Sequence, residues 1–234
     1  MLNPTDDPQL AVLGEYALRY VKRGQTIGLG TGRAASAFIR ALGAAKLDVR
    51  GVATSKASEA LARSLGIEVV DLRTVSKVDT DFDGADEVDP KLNLIKGWGG
   101  AMVREKIVAA AAKKRVFLVT EEKLVKRLGA RRNLPIEVIP LATGYVTCTL
   151  AKLGIQPNLR KDSNGSEYIS DNGNSVLDCA VTKLPNPVRL DRELCAIPGV
   201  VGTGLFVGMT DLVLVAMGDG TIKTLRGQAR QAPR

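Results

Sequence analysis

The chain has 234 residues, of which 45% are hydrophobic and 25% charged, the balance of an ordinary soluble globular protein and too apolar for a disordered one. That length allows one domain or a large domain with a small companion, and the apolar stretch 205–217 is broken by Gly, Thr and Asp well short of the ~20 residues of a membrane span. The formal charge of +8 suits phosphorylated small molecules as readily as nucleic acid, but aromatic residues are only 4% and are not interleaved with the basic clusters, so no nucleic-acid partner is expected.

In chain order, "MLNPTDDPQL" lacks the basic-then-apolar order of a secretion signal, which points to the cytoplasm. Strand-like and helical runs then alternate: "QTIGLG" and "AASAFIRALG", "DVRGVATS" and "SEALARSLG", "IEVVDL", "KVDTDFDGAD", "AMVREKIVAAAAKK" and "RVFLVT". Strands followed by helices of this length imply βαβ units and a mainly parallel sheet covered on both faces. After about residue 134 the order becomes "IEVIP", helical "GYVTCTLAKLG", strand-like 158–181 with turns at Asn164-Gly165 and Asn172-Gly173, helical "DRELCAI" and "VVGTGLFVG". A βαββαβ order fits a ferredoxin-like unit. "DLVLVAMGDGTIKTL" reads as two strands returning to the first sheet, and "RGQARQAPR" as a frayed tail. The expected division is therefore a Rossmann-like domain, 1–134 completed by 208–234, and a smaller ferredoxin-like α+β domain, 135–207.

The sequence has no histidine, which excludes Ser-His-Asp and Cys-His catalysis and any imidazole acid or base. Proton chemistry must run on carboxylates, lysines, tyrosines or thiols. Cys148, Cys179 and Cys195 are widely spaced, suggesting neither a disulfide framework nor a zinc site; small core residues are the expectation.

"IGLGTGRAASAF" (27–38) places alternate glycines between a strand and a helix. Gly30 to Ala35 satisfies G-x-G-x-x-A, but the second strand ends Thr54-Ser55-Lys56 where a dinucleotide site needs an acidic residue. A phosphate or sugar at the helix entrance is preferred, with an empty tight turn as the alternative. "FDGADEVDP" (82–90) gathers Asp83, Asp86, Glu87 and Asp89, which could chelate a hard metal, accept from sugar hydroxyls, or cap turns. In "KGWGGAMVREKIV" the helix carries Val103, Ile107, Ala110 and Ala111 on one stripe, and Glu105 lies about 200° from Val103, away from that apolar face. Glu105 is then either an exposed glutamate favoured by the helix dipole or a partly desolvated base facing a glycine-lined pocket.

Together "GLGTG", "TSKASEALARSLGI", "DGADEVD", "KGWGGAMVREKIV", "LPIEVIP" and "DNGNSVLD" closely resemble, in order, the signature segments of ribose-5-phosphate isomerase type A, over about residues 10–225. The resemblance implies a metal-free, cofactor-free aldose-ketose isomerase of the pentose phosphate pathway, interconverting D-ribose 5-phosphate and D-ribulose 5-phosphate. It also implies a phosphorylated pentose as partner, no membrane or nucleic acid, and assembly as a homodimer or homotetramer. The family's base falls on Glu105. Its substrate-binding segments fall on Thr31, Gly32, Arg33 and Ala34, on Asp83, Gly84, Ala85 and Asp86, on Lys96, Gly97, Trp98 and Gly99, and on Lys123. Glu105 is expected to move the proton through a cis-enediolate, Lys96 to stabilise the oxyanion, and Asp83 and Asp86 to hold hydroxyls and assist ring opening.

Two positions depart from the family pattern. Arg33-Ala34 stands where Ser-Thr is usual, and Trp98 where a glycine is common. Arg33 offers a charged fork for phosphate or points to solvent, and the Trp98 ring narrows the pocket, packs on the sugar, or sits on the outer face of its loop. The competing readings are a non-catalytic sugar-phosphate sensor domain, which should carry a DNA-binding segment that the short N-terminal stretch has no room for, and a CoA-transferase-like enzyme with a nucleophilic glutamate.

Overall fold

In the computed structural model, residues 7–181 and 186–227 are described. The tail read as frayed lies outside them from residue 228 on. The strands are β1 (Thr26–Leu29), β2 (Arg50–Ala53), β3 (Glu68–Val69), β4 (Val78–Gly84), β5 (Glu87–Val88), β6 (Leu94–Ile95), β7 (Ala112–Thr120), β8 (Leu134–Val138), β9 (Gln156–Leu159), β10 (Ser175–Ala180), β11 (Val200–Thr203), β12 (Leu205–Phe206), β13 (Leu212–Ala216) and β14 (Ile222–Arg226). The helices are α1 (Pro8–Ala17), α2 (Arg33–Ala45), α3 (Lys56–Ser64), α4 (Met102–Ala111), α5 (Thr143–Lys152) and α6 (Pro187–Cys195). None is long and apolar enough to cross a membrane among the described residues.

The chain divides into two compact units. The first comprises 7–84, 107–123 and 208–227; the second comprises 85–106, 124–181 and 186–207. In the first, a seven-stranded sheet runs β14-β13-β7-β4-β1-β2-β3, parallel throughout except for the β13–β14 hairpin. The interior strand β1 is buried at all four positions, as a strand covered on both faces must be. Ile27, Leu29 and Phe82 pack with Leu10, Leu13, Phe38, Ile39 and Leu42 of α1 and α2, and the Phe38 and Phe82 rings stack at 4.3 Å. On the opposite face Val108 of α4 joins Val52, Val78 and Ala112. Both faces therefore carry helices, as the βαβ pattern required.

In the second unit a four-stranded sheet has the order β11-β8-β10-β9 with every neighbour antiparallel, the arrangement of a βαββαβ ferredoxin-like unit. Val146, Leu150 and Leu194 of α5 and α6 pack with Leu134, Ile136, Val138, Leu177 and Cys179. A three-stranded sheet, β12-β6-β5, is also antiparallel. Residues 85–106 and 124–134, grouped with the parallel sheet on sequence order, thus belong with the second unit, because β6 pairs with both β5 and β12.

Two sequence expectations change. Of the cysteines only Cys179 is buried; Cys148 and Cys195 are exposed. On α4 the buried positions are Met102, Glu105, Val108 and Ala109, while Ile107 is 51% exposed and Ala110 and Ala111 are exposed. The helix is turned so that the side carrying Met102, Glu105, Val108 and Ala109, not the Val103–Ile107 stripe, faces inward.

Candidate active site

In a doubly wound sheet, ligands bind beyond the carboxyl ends of the strands where the winding reverses. With neighbours β4-β1-β2 in the first unit, that point lies between β1 and β4. The loop after β1 holds Gly30, Thr31 and Gly32, and β4 ends in Asp83-Gly84. The two segments are joined directly: the fully buried Asp83 carboxylate accepts from the Thr31 N–H at 3.0 Å and the Gly84 N–H at 2.7 Å, and Gly30 N donates to Phe82 O. A Cβ on Gly30 would overlap that carboxylate and lie 2.5 Å from Asp83 Cα, so glycine is required there by close approach.

The Thr31 hydroxyl bonds Thr54 at 2.7 Å and donates to Ser55 at 2.8 Å, so the end of β2 fixes the rotamer of the loop. Gly32 is the N-cap of α2 and supplies no capping oxygen. The first N–H groups of α2, on Arg33, Ala34 and Ala35, have no intrahelical acceptor, and the dipole's positive end adds to them. Arg33 is exposed and its guanidinium pairs with Asp7 at 2.8 Å. Asp7 also caps α1 by accepting from Gln9 N, so one carboxylate ties the starts of two helices. Lys123 is half-buried in the turn after β7, again at a carboxyl end.

The remaining candidates lie in the second unit. Gly97 has φ +105° and a Cβ there would sit 2.8 Å from Met102 Cβ, which fixes a glycine in the tight turn before α4. That turn closes with Gly100 N donating to Gly97 O at 2.9 Å. Glu105 follows in the first turn of α4 and is 3% exposed; Lys96, just before the turn, is 2% exposed. Lys96 Nζ lies 3.3 Å from Glu105 Oε1. The Phe206 ring carries two ammonium groups, Lys96 at 5.5 Å and Lys106 at 5.2 Å, so an aromatic face supports the charge of Lys96. The exposed-glutamate reading of Glu105 is thereby set aside.

The four carboxylates of 82–90 separate into different tasks. Asp83 fixes the β1 loop, as above. Asp86, half-buried beside Ala85, accepts from the Trp98 N–H at 3.1 Å. Glu87 is fully buried and accepts from the N–H groups of Gly129, Arg131 and Arg132 at 2.6, 2.6 and 2.8 Å. Asp89 caps its own turn, taking the N–H groups of Lys91 and Asn93. Among the described residues no group of three or more acidic or thiol side chains is placed to hold a metal ion. Trp98 is 44% exposed, stacks on Arg132 at 4.5 Å and donates through Nε1 to Asn133 O, and beside it Gly99 is exposed. The ring is thus spoken for by the chain's own loop.

Sequence reasoning missed the buried Glu137, whose Oε1 accepts from Ser170, Asn172 and Asn174. Asn172 in turn accepts from Arg104, the neighbour of Glu105, at 2.7 Å. The only signal was that Glu137 and Asn172 lie in two of the motifs, "LPIEVIP" and "DNGNSVLD".

Residues 50–220 match the family Ribose 5-phosphate isomerase A (phosphoriboisomerase A). Ribose-5-phosphate isomerase A of Roseiflexus sp. (strain RS-1) is 46% identical over 222 residues, 93% of this chain and 95% of that protein. Its counterpart in Listeria monocytogenes serovar 1/2a is 40% identical over 93% of this chain and 98% of its own length. Among solved structures, ribose 5-phosphate isomerase A from Methanocaldococcus jannaschii superposes with a TM-score of 0.89 at 40% identity, covering 94% of this chain and 98% of that one. A D-ribose-5-phosphate isomerase solved in complex with phospho-erythronic acid gives 0.90 at 36% identity, covering 94% and 98%.

Proposed function

The chain belongs to the ribose 5-phosphate isomerase A family, and from that premise we propose how its residues interconvert D-ribose 5-phosphate and D-ribulose 5-phosphate. The reaction is an intramolecular redox change of the pentose phosphate pathway: one carbon-bound proton leaves C2 of the open-chain aldose and one is delivered to C1. Glu105 takes the first proton, leaving a cis-enediolate, and returns a proton to C1 while the hydroxyl proton on O2 passes to O1, so that C2 becomes the carbonyl. Lys96, withdrawn from water, and the Gly99 N–H of the 97–100 turn offset the negative charge that develops on oxygen. Asp83 and Asp86 hold sugar hydroxyls and assist opening of the cyclic sugar, which has no free carbonyl. Thr31, Gly32, Arg33 and Ala34 take the phosphate or hydroxyls at the start of α2, aided by Gly84, Ala85, Gly97, Trp98, Gly99 and Lys123.

The observation that carries this reading is the buried Lys96–Glu105 pair behind a glycine turn. A carboxylate that accepts and returns a proton works best where water is excluded and its partner charge is fixed. No step calls for a metal, a cofactor or an imidazole. The sensor reading is not favoured, since the relatives matched over nearly their whole length are named as the enzyme.

The test is conversion of ribose 5-phosphate to ribulose 5-phosphate with EDTA present, for the wild type and Glu105→Gln. Turnover by the wild type and a loss of about a hundredfold or more in the folded variant supports the mechanism. Binding by the wild type without conversion would transfer the chain to the sensor class. The proposal extends to a cytoplasmic homodimer or homotetramer, supported by exposed apolar side chains such as Leu141, 96% exposed, and Tyr145, 57% exposed; light scattering of the purified protein tests the assembly.

A further inference from the structure

Besides the Gly100 N–H bond that closes the 97–100 turn, a side chain from outside the turn fixes its peptide planes. Arg160, at the end of β9 and 11% exposed in its side chain, does so. Its Nε and Nη2 donate to the two oxygens of Asp178 on β10 at 2.9 and 2.6 Å, a two-point fork that leaves the guanidinium one orientation. The remaining edge, Nη1, donates to Gly97 O at 3.0 Å and to Trp98 O at 3.2 Å. The Tyr168 ring lies 5.6 Å below the guanidinium.

Two consecutive carbonyls are thus drawn to one side. In a planar trans peptide the N–H points opposite its C=O. The Gly97–Trp98 peptide obeys this visibly: its oxygen meets Arg160 and its N–H meets Asp86 at 3.1 Å. By the same geometry the Trp98–Gly99 peptide, held at its oxygen by Arg160, turns the Gly99 N–H away from Arg160. A glycine turn left to itself has access to several such orientations, and losing them at the moment of reaction costs rate.

We propose that Arg160, locked by Asp178, is a positioning residue that aims the Gly99 N–H of the 97–100 turn at the oxyanion formed during isomerisation. This rests on the reading of Lys96 and Glu105 given above. Arg160 touches no reacting atom; it acts through the turn. Lysine cannot replace it, because one ammonium cannot span a carboxylate fork and two carbonyls together.

The experiment compares wild type, Arg160→Lys and Asp178→Asn by steady-state kinetics with ribose 5-phosphate, and by amide hydrogen exchange at residues 97–100. The expected result for Arg160→Lys is a kcat lowered at least tenfold with KM within about threefold, and faster exchange confined to the turn. Asp178→Asn should fall between that variant and wild type. In Arg160→Ala, added guanidinium chloride at low millimolar concentration should restore part of kcat, which a loss of general stability would not allow. A kcat within twofold of wild type in folded Arg160→Lys, or a change in KM alone, overturns the proposal while Glu105→Gln still tests the mechanism. Should the wild type itself fail to turn over, the mechanism falls; unchanged exchange in Arg160→Lys would then overturn the positioning role separately.

Discussion

Lys96 Nζ lies 3.3 Å from Glu105 Oε1, and both side chains are almost wholly withdrawn from water. Removing one partner of such a pair leaves a charge in a poor dielectric, which costs about 3–5 kcal/mol. Lys96→Met should therefore lose stability on that scale in urea unfolding and lose kcat at least tenfold. Glu105→Gln breaks the same buried pair and should lose stability on the same scale, but kcat should fall about a hundredfold or more, beyond the loss in Lys96→Met. A kcat for folded Glu105→Gln within tenfold of wild type would argue that the pair serves the fold alone.

Glu87 offers a contrast within the same motif. Its carboxylate takes three backbone N–H groups, from Gly129, Arg131 and Arg132. Bonds to a charged acceptor contribute roughly 1.5–3 kcal/mol each in favourable settings, and Gln turns an N–H₂ toward donors. Glu87→Gln should destabilise the protein by about 2–4 kcal/mol and expose the 129–132 loop. Limited trypsin digestion reads this directly through faster cleavage after Arg131 and Arg132.

Arg33 tests the departure at the first glycine loop. Its partner Asp7 is partly exposed and its own side chain is 64% accessible, so the pair contributes under about 1 kcal/mol. Arg33→Ser should leave Tm nearly unchanged and raise KM less than about threefold. A tenfold rise in KM would mean that the guanidinium leaves Asp7 for the substrate phosphate.

The three thiols should differ in reactivity. Burial pushes the Cys179 thiol up to about 12, with the Asp178 carboxylate adding to it. Cys195, though its residue is exposed, is raised by partial desolvation of its thiol, with Asp191 adding to it, whereas Cys148 is exposed. Iodoacetamide at pH 8 should label Cys148 first, Cys195 more slowly and Cys179 only on unfolding. Because the folded value of Cys179 lies above its ordinary 9.0, its neutral form contributes stability below pH 9 that is lost as pH rises towards 12. A Cys179→Ala variant should show a flatter decline of stability over that window.

The parallel sheet and the ferredoxin-like unit were legible because each strand run is bounded by turn residues and each helix has a length that fits a crossover. The site was legible as motifs, since glycines, carboxylates and Lys96 stand close in sequence. The face of Glu105 was not. The α4 stripe of Val103, Ile107, Ala110 and Ala111 reads as the apolar face, yet the helix buries the side of Met102, Glu105, Val108 and Ala109. Arg160 was equally hidden, because its two carbonyl acceptors lie some sixty residues away and carbonyls leave no mark on a sequence.

Gly30 and Asp83 show what such contacts demand of change over time. Any side chain on Gly30 collides with Asp83, and with its backbone, so no alternative rotamer relieves the clash. Any loss of the Asp83 carboxylate in turn strands the Thr31 and Gly84 N–H groups that it receives. Neither position can be altered alone without a defect at the other. The route from this loop to a differently shaped one must pass through both residues together, which makes the loop after β1 slow to diverge.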